Sequence, residues 1–219
     1  QGGGSTAGLQ AASEGIADIG MCSRGLKDAE KEKFTPVVIA RDGLAIVVHT
    51  SNPVSALTRE QIRMLFSGEI TNWKDVGGAD RPVRVITREE GSGTREAFMK
   101  MVMEHHAKDA KSAPGEVVHI DRKALTQESN GAVKELVRSD PCAIGYMSLG
   151  LVGQELKVIT VDGVHPSVQE VSNGKYPLVR PFLFVTKGRP SAGAQAFIEF
   201  VLSEKGQKML AKEGLVNAS

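Results

Sequence analysis

Two segments of the 219-residue chain have the residue types to hold an anion. Gly2-Gly3-Gly4-Ser5-Thr6-Ala7-Gly8 and Gly91-Ser92-Gly93-Thr94-Arg95 are both rich in Gly, Ser and Thr, and helix-forming sequence follows each. A helix start presents unpaired N–H groups and the positive end of the dipole. Glycine lets a ligand approach the backbone, and Ser and Thr add hydroxyl donors. Together these features make an anion site. Arg88 stands at the end of a strand-like run, four residues before Ser92. Its guanidinium can fork onto an oxyanion, at about 1.5–3 kcal/mol per charge-assisted bond. Each feature also has a plainer reading. Either loop alone could be an N-cap before a structural helix, and Arg88 could pair with Glu89 or Glu90 at the surface. Two such loops in one chain, one beside an arginine, favour the anion.

Other chemistries lack their residues. Gly2-x-Gly4-x-x-Ala7 matches the dinucleotide fingerprint, but no strand precedes it and no βαβ context follows. There is no Gly-x-x-x-x-Gly-Lys phosphate loop, and no Gly-x-Ser-x-Gly elbow to make Ser92 a nucleophile. His49, His105, His106, His119 and His165 have no ligand spacing, and the adjacent His105 and His106 would face different sides of a helix. A phosphatase would need a nucleophile with its base, or a metal set. The chain is therefore read as a binding protein, not an enzyme, with no cofactor and no metal. Trp73 and the run Phe98, Met99, Met101 and Met103 read as core filling. Cys22 and Cys142 form no C-x-x-C, and neither demand nor exclude a disulfide.

The elements that must position these residues alternate between short apolar strands and amphipathic helices, an α/β pattern. Expected helices are Thr6 to about Glu14 behind an N-cap at Ser5, Thr58 to about Phe66, Gly91–Thr94 onward to about His106, Gly131–Ser139, Ser191 to about Leu202, and about Glu204–Glu213. Thr58-Arg59-Glu60-Gln61 is a capping box. Expected strands are Ile16–Met21, Val37–Ala40, Leu44–His49, Val83–Thr87, Glu116–Ile120, Ala143–Met147, Lys157–Val161 and Leu178–Val185. Arg41-Asp42-Gly43 is expected to turn, and Pro181 to sit at an edge or bend. Twenty-seven Lys and Arg against 26 Asp and Glu leave a net charge of +1. That gives no electrostatic reason to bind nucleic acid or an anionic membrane. The apolar fraction of 41% is that of a globular chain. No apolar run reaches the roughly 18 residues of a membrane span. The length suits one or two domains of about 100–200 residues. No segment looks like a linker, so two lobes would have to exchange chain, with crossovers near residues 49–53 and 176–181.

Four blocks carry a family resemblance. They are Gln1–Gly8 followed by Ala17-Asp18-Ile19-Gly20-Met21-Cys22-Ser23-Arg24, Leu57–Phe66 through Ser67-Gly68-Glu69-Ile70-Thr71-Asn72-Trp73, Arg88–Arg95, and Ala143-Ile144-Gly145-Tyr146. In this order they resemble the Pst-type phosphate-binding proteins of ABC phosphate importers, over essentially the whole chain. Arg-x-x-Gly-Ser-Gly-Thr is the most specific block. The resemblance implies a type II periplasmic-binding-protein fold, with two α/β lobes and two crossovers. Residues 1–49 and 180–219 would form the first lobe and 50–179 the second, with inorganic phosphate between them. Carried over by position, Ser5 and Ser23 are first-lobe ligands, and Arg88, Ser92, Gly93 and Thr94 are second-lobe ligands. Glu90 resembles the family's acidic residue beside the arginine. A carboxylate there can accept a hydrogen bond from the proton that phosphate keeps at neutral pH and would repel sulfate, or it could merely orient Arg88. Ser23 stands where some members have a carboxylate. Cys22 and Cys142 stand where a small residue and a glycine are usual.

The resemblance also implies a strand–helix–strand before Gln1, which would supply a further phosphate anchor. Its absence predicts a first lobe truncated at its N-terminus, with an exposed sheet edge. The chain could be a fragment, a partner of another chain or of itself through that edge, or a natural short form. The expected function is an extracytoplasmic solute-binding protein, periplasmic or extracellular, that hands phosphate to an ABC permease. A membrane anchor in a region preceding Gln1 stays open. The alternative is a truncated module for sensing or assembly with weak or no phosphate binding.

Overall fold

The computed structural model describes residues 3–104 and 116–218. In chain order its helices are α1 (Gly4–Glu14), α2 (Asp28–Lys31), α3 (Arg59–Ser67), α4 (Gly93–Phe98), α5 (Asn130–Ser139), α6 (Val168–Ser172), α7 (Ala192–Leu202) and α8 (Glu204–Lys212). Its strands are β1 (Gly20–Cys22), β2 (Thr35–His49), β3 (Ala56–Leu57), β4 (Arg84–Arg88), β5 (Leu125–Gln127), β6 (Ala143–Ser148), β7 (Leu156–Val158), β8 (Thr160–Val161), β9 (Val179–Thr186) and β10 (Val216–Asn217). The main sheet is mixed and runs β1-β9-β2-β6-β4-β5, with β7 and β10 also paired to β2. Strands β3 and β8 form a separate parallel pair.

Strand β2 organises the sheet. Its first part, Thr35–Gly43, pairs with β9, and Leu44–Val48 pairs with β6. The expected turn at Arg41-Asp42-Gly43 is therefore absent, and the two short strands are one. A surface turn keeps its polar groups in water, whereas Asp42 is fully buried and ion-paired to Arg180. Gly43 packs so closely that a Cβ would lie 2.9 Å from Val171 Cγ2. Period-2 alternation gives the strand two apolar faces. Leu44, Ile46 and Val48 join Ile62, Leu65, Phe66, Trp73, Phe98 and Tyr146 in the largest core. Ala45 and Val47 pack with Val133 and Val137 of α5. Around β9, Leu183 and Val185 meet Leu9 and Ala12 of α1, while Phe184 meets Ile198 and Val201 of α7.

Several helix ends follow directly from the sequence. Thr58 Oγ1 accepts from Gln61 N–H, and Gln61 Oε1 accepts from Thr58 N–H, which completes the capping box. Ser191 and Ser203 cap α7 and α8. Trp73 is buried and donates its indole N–H to Cys142 O at 2.9 Å. Phe98 and Met103 are fully buried, so the aromatic and Met run does fill core. Cys22 and Cys142 are both free.

Other expectations need correction. Ser5 does not cap α1. Gly3 occupies the cap position, and Ser5 lies inside the first turn. Of the expected 16–21 strand only Gly20 and Met21 pair, together with Cys22 beyond it, against β9. The segment expected as strand Glu116–Ile120 makes a single bridge, Val117 to Glu104. Lys157–Val161 divides between β7 and β8, which serve different partners. After Phe98 the helix widens into a π-helical stretch, Met99–Met103. Its expected continuation to His106, and His105 and His106 themselves, lie outside the described residues. No described helix is long and apolar enough to cross a membrane.

Candidate functional site

The starts of α1 and α4 meet. Thr6 N–H donates to Gly91 O at 3.2 Å. Gly4 has φ of 76°, and a Cβ there would lie 2.5 Å from Gly91 O, so only glycine fits. Ser92 caps α4, its Oγ accepting from Arg95 N–H at 3.3 Å. Opposite it, Ser5 Oγ accepts from Ser23 N–H at 3.0 Å and lies 3.4 Å from Ser23 Oγ. A Cβ on Gly93 would fall 2.0 Å from Ser5 Oγ and 2.5 Å from Ser23 Oγ. The two serine hydroxyls therefore sit directly over Gly93. Thr94, also buried, completes the floor.

Beneath Thr94 lies a residue that sequence reasoning missed. Arg180, on β9, donates from Nη1 to Thr94 Oγ1 at 2.7 Å and from Nε and Nη2 to Asp42 Oδ2 at 2.9 and 2.8 Å. Its Nη1 also reaches Ser23 O at 3.4 Å. Asp42 Oδ1 accepts from the Ser148 hydroxyl at 2.9 Å. Burial pushes the Asp42 carboxyl up and the Arg180 guanidinium down, against their mutual attraction. The forked geometry is that of a charged pair, ionised on both sides. The signal was a lone charge, Arg180, inside the apolar run 178–185, and the adjacent charges Arg41 and Asp42 inside the apolar run 37–48.

Arg88 is buried and held by Glu89, not Glu90. Nε and Nη2 bond Glu89 Oε2 and Oε1 at 2.8 and 2.9 Å. Nε also donates to Gln127 O, and Nη1 to Asn130 Oδ1 at the start of α5. Tyr146 supports the same strand end. Its hydroxyl pairs with Thr87 Oγ1 at 2.8 Å and accepts from Arg88 N–H at 3.2 Å. Arg95 Nη1 donates to Thr87 Oγ1 and Arg88 O. Glu90 is exposed. With Gly91, Arg95 and Arg180 it lines a cleft of about 1000 Å³. Thus Ser5, Ser23, Gly93 and Thr94 converge with Ser92 beside them, Arg88 is turned onto Glu89, Gln127 and Asn130, and Glu90 is exposed and lines the cleft rather than the serine cluster.

The cleft wall carries a second buried arginine. Arg24 forks onto Glu30 at 2.7 and 2.9 Å, and its Nε lies 2.8 Å from Glu96 Oε2. The Arg24 hydrogen bonds hold the Glu30 carboxyl below its ordinary value of 4.5. A depressed carboxylate contributes stability that is fully present above that ordinary value and lost as pH falls through the lower folded one. Unfolding free energy is therefore expected to drop as pH is lowered below about 4.5. Glu30→Gln should flatten that part of the profile in urea titrations. An unchanged profile would remove the pair from the account.

Residues 1–205 match a family model described as a PBP superfamily domain. The chain is 30% identical, over 214 residues, to "Phosphate-binding protein PstS" of Bacillus subtilis, covering 96% of this chain and 67% of that protein. It belongs to the Pst-type phosphate-binding proteins. A second relative in this family, PstS 2 of Streptococcus agalactiae, is 36% identical over 136 residues, but these span only 61% of this chain and 45% of the relative. Among solved structures, a putative phosphate ABC transporter substrate-binding protein with bound phosphate from Clostridium perfringens superposes with a TM-score of 0.88 at 40% identity. The match covers 98% of this chain and 84% of that one. An ABC-type phosphate transport receptor from Vibrio cholerae gives 0.80 at 37% identity, over 97% and 85%. The mixed α/β sheet described above is therefore the type II fold of Pst-type phosphate-binding proteins.

Proposed function

We propose that the protein captures inorganic phosphate at the Ser5–Ser23–Gly93–Thr94 cluster and delivers it to the permease of an ABC importer, with no chemical step. The observation that carries this reading is the meeting of two sequence-distant helix starts over Gly93, backed by a buried arginine, in a Pst-type chain. Ser5 and Ser23 would donate from a first lobe, residues 1–49 and 180–219. Ser92, Gly93, Thr94 and Arg88 would donate from a second, residues 50–179. An anion held by both favours the closed arrangement. Glu90, exposed in the cleft, would accept a hydrogen bond from the phosphate O–H. An extracytoplasmic location suits this role. The outer strand β1 is an edge where self-association could occur, since unpaired strand groups recruit further strands.

Isothermal titration with phosphate tests the reading, with micromolar binding, about −8 kcal/mol, expected. Arg88→Ala should weaken it at least about tenfold, since Nη1 keeps one N–H beyond its bond to Asn130 and one charge-assisted bond contributes about 1.5–3 kcal/mol. A folded Arg88→Ala variant that bound like the parent would refute Arg88 as a ligand. Hydrolysis of p-nitrophenyl phosphate is not expected, and turnover would overturn the non-enzymatic reading.

A further inference from the structure

Glu96 stands in the first turn of α4, two residues after Thr94. A carboxylate there opposes any anion held by the neighbouring cluster. Its ordinary use at a helix start is to meet the dipole of its own helix. Here its side chain reaches into residues 1–49. Oε1 accepts from the Thr6 hydroxyl of α1 at 3.2 Å, and Oε2 lies 2.8 Å from both Arg24 Nε and Lys27 Nζ. Arg24 Nε and Glu96 Oε2 are buried, and neither makes an aligned hydrogen bond. Each is left to the opposite charge facing it, and a buried charge without one is costly.

Both halves of this contact are built independently. Glu30 takes Nη1 and Nη2 of Arg24 at 2.7 and 2.9 Å, and accepts from the Lys27 backbone N–H at 2.8 Å. Those bonds lie within residues 1–49. Glu96 N–H donates to Ser92 O at 2.9 Å, within residues 50–179. Beside the ion pairs the two parts stand apart. The cleft of about 1000 Å³ is lined by Leu26, Asp28 and Lys31 from one and by Met99, Lys100 and Met101 from the other. Arg180 and Asp42 sit opposite each other on paired strands, whereas Glu96 bridges a helix to a loop. Its contacts are therefore free to part when the cleft widens.

We propose that Glu96 is a positioning residue, a latch on α4 that holds the two lobes closed and so sets how tightly phosphate is kept. The proposal rests on the two-lobe phosphate reading above. The latch is made of protein groups alone, so it favours the closed form in the free protein as well as the bound one. Apparent affinity scales with the fraction of the competent form. The sign of the effect separates a latch from a mere neighbour. A neighbouring carboxylate repels the anion, and neutralising it should tighten binding. Neutralising a latch should weaken binding.

The test combines phosphate titration with small-angle X-ray scattering of the full chain, free and saturated with phosphate. Glu96→Gln is expected to weaken phosphate about threefold to tenfold, with native circular dichroism. Its free form should have a larger radius of gyration than the free parent, and saturating phosphate should bring the two together. Lys27→Met, at an exposed side chain, should act in the same direction, and the double variant should cost less than the sum of the singles. A folded Glu96→Gln variant that binds as tightly as the parent or tighter, with the parent's radius, would overturn the latch and leave the phosphate reading standing. A parent whose radius ignores phosphate and equals that of Glu96→Gln would overturn lobe closure, and the latch with it. A parent that binds no phosphate would overturn the phosphate reading, and the radii of the two free proteins would still decide the latch.

Discussion

Arg180→Ala is expected to lower the unfolding free energy by about 3–5 kcal/mol at neutral pH, a large part of a small protein's total. The reason is the carboxylate left behind. Asp42 is fully buried and takes two of its hydrogen bonds from Arg180. Without them it keeps the Ser148 hydroxyl and a backbone N–H at Leu149. Burial, which already pushes its carboxyl up, would then act with little opposition. A carboxyl whose folded pKa lies above its unfolded 3.8 binds more protons folded than unfolded. Stability therefore falls as pH rises through that window, so the deficit should be greatest at neutral pH and shrink in acid. Replacing both partners, as Asp42→Leu with Arg180→Met, should recover most of the loss, because no charge is then stranded. Urea unfolding of the two single variants and the double gives the coupling energy directly. A single-variant cost under about 1 kcal/mol would show that the pair is not what holds β2 to β9.

Phe98→Ala is expected to cost about 3–5 kcal/mol and to weaken phosphate binding as well. Phe98 ends α4 and is fully buried. Its ring stacks on Tyr146, with centroids 4.1 Å apart and planes 3° from parallel, and lies 4.5 Å from Phe66. Tyr146 in turn holds Thr87 and the Arg88 N–H. The aromatic cluster is thus the floor on which the Arg88–Thr94 loop rests. Removing the ring leaves a cavity under the loop, whereas Phe98→Leu keeps most of the volume and should cost under about 1.5 kcal/mol. Denaturant titration with and without phosphate separates the two effects. Ligand at 100 times its dissociation constant should return about 2.7 kcal/mol to the parent and less to Phe98→Ala if the loop has loosened. Equal return in both would show that the cluster supports the fold alone.

Local chemistry made much of this protein legible from sequence. The Thr58 capping box, the Ser191 and Ser203 caps, and helix α5 ending at Asp140-Pro141 are decided within a few residues, by side-chain to backbone bonds and by proline sterics. The Gly/Ser/Thr composition at residues 2–8 and 91–95 marked two anion-ready helix starts for the same reason. The tertiary structure decided what those starts face. Read locally, Arg41-Asp42-Gly43 has turn composition, and only an arginine 138 residues away makes it the middle of a strand. Ser5 has cap composition, yet its hydroxyl accepts from Ser23 instead, because β1 brings Ser23 over the first turn of α1. Arg88 found its carboxylate next door in Glu89 rather than Glu90, since the chain at residues 88–91 points one toward the guanidinium and leaves the other in solvent. Burial makes the difference in each case. A charge or hydroxyl taken out of water must find a partner wherever the fold supplies one, and that partner is fixed by strand order and register rather than by neighbours in sequence.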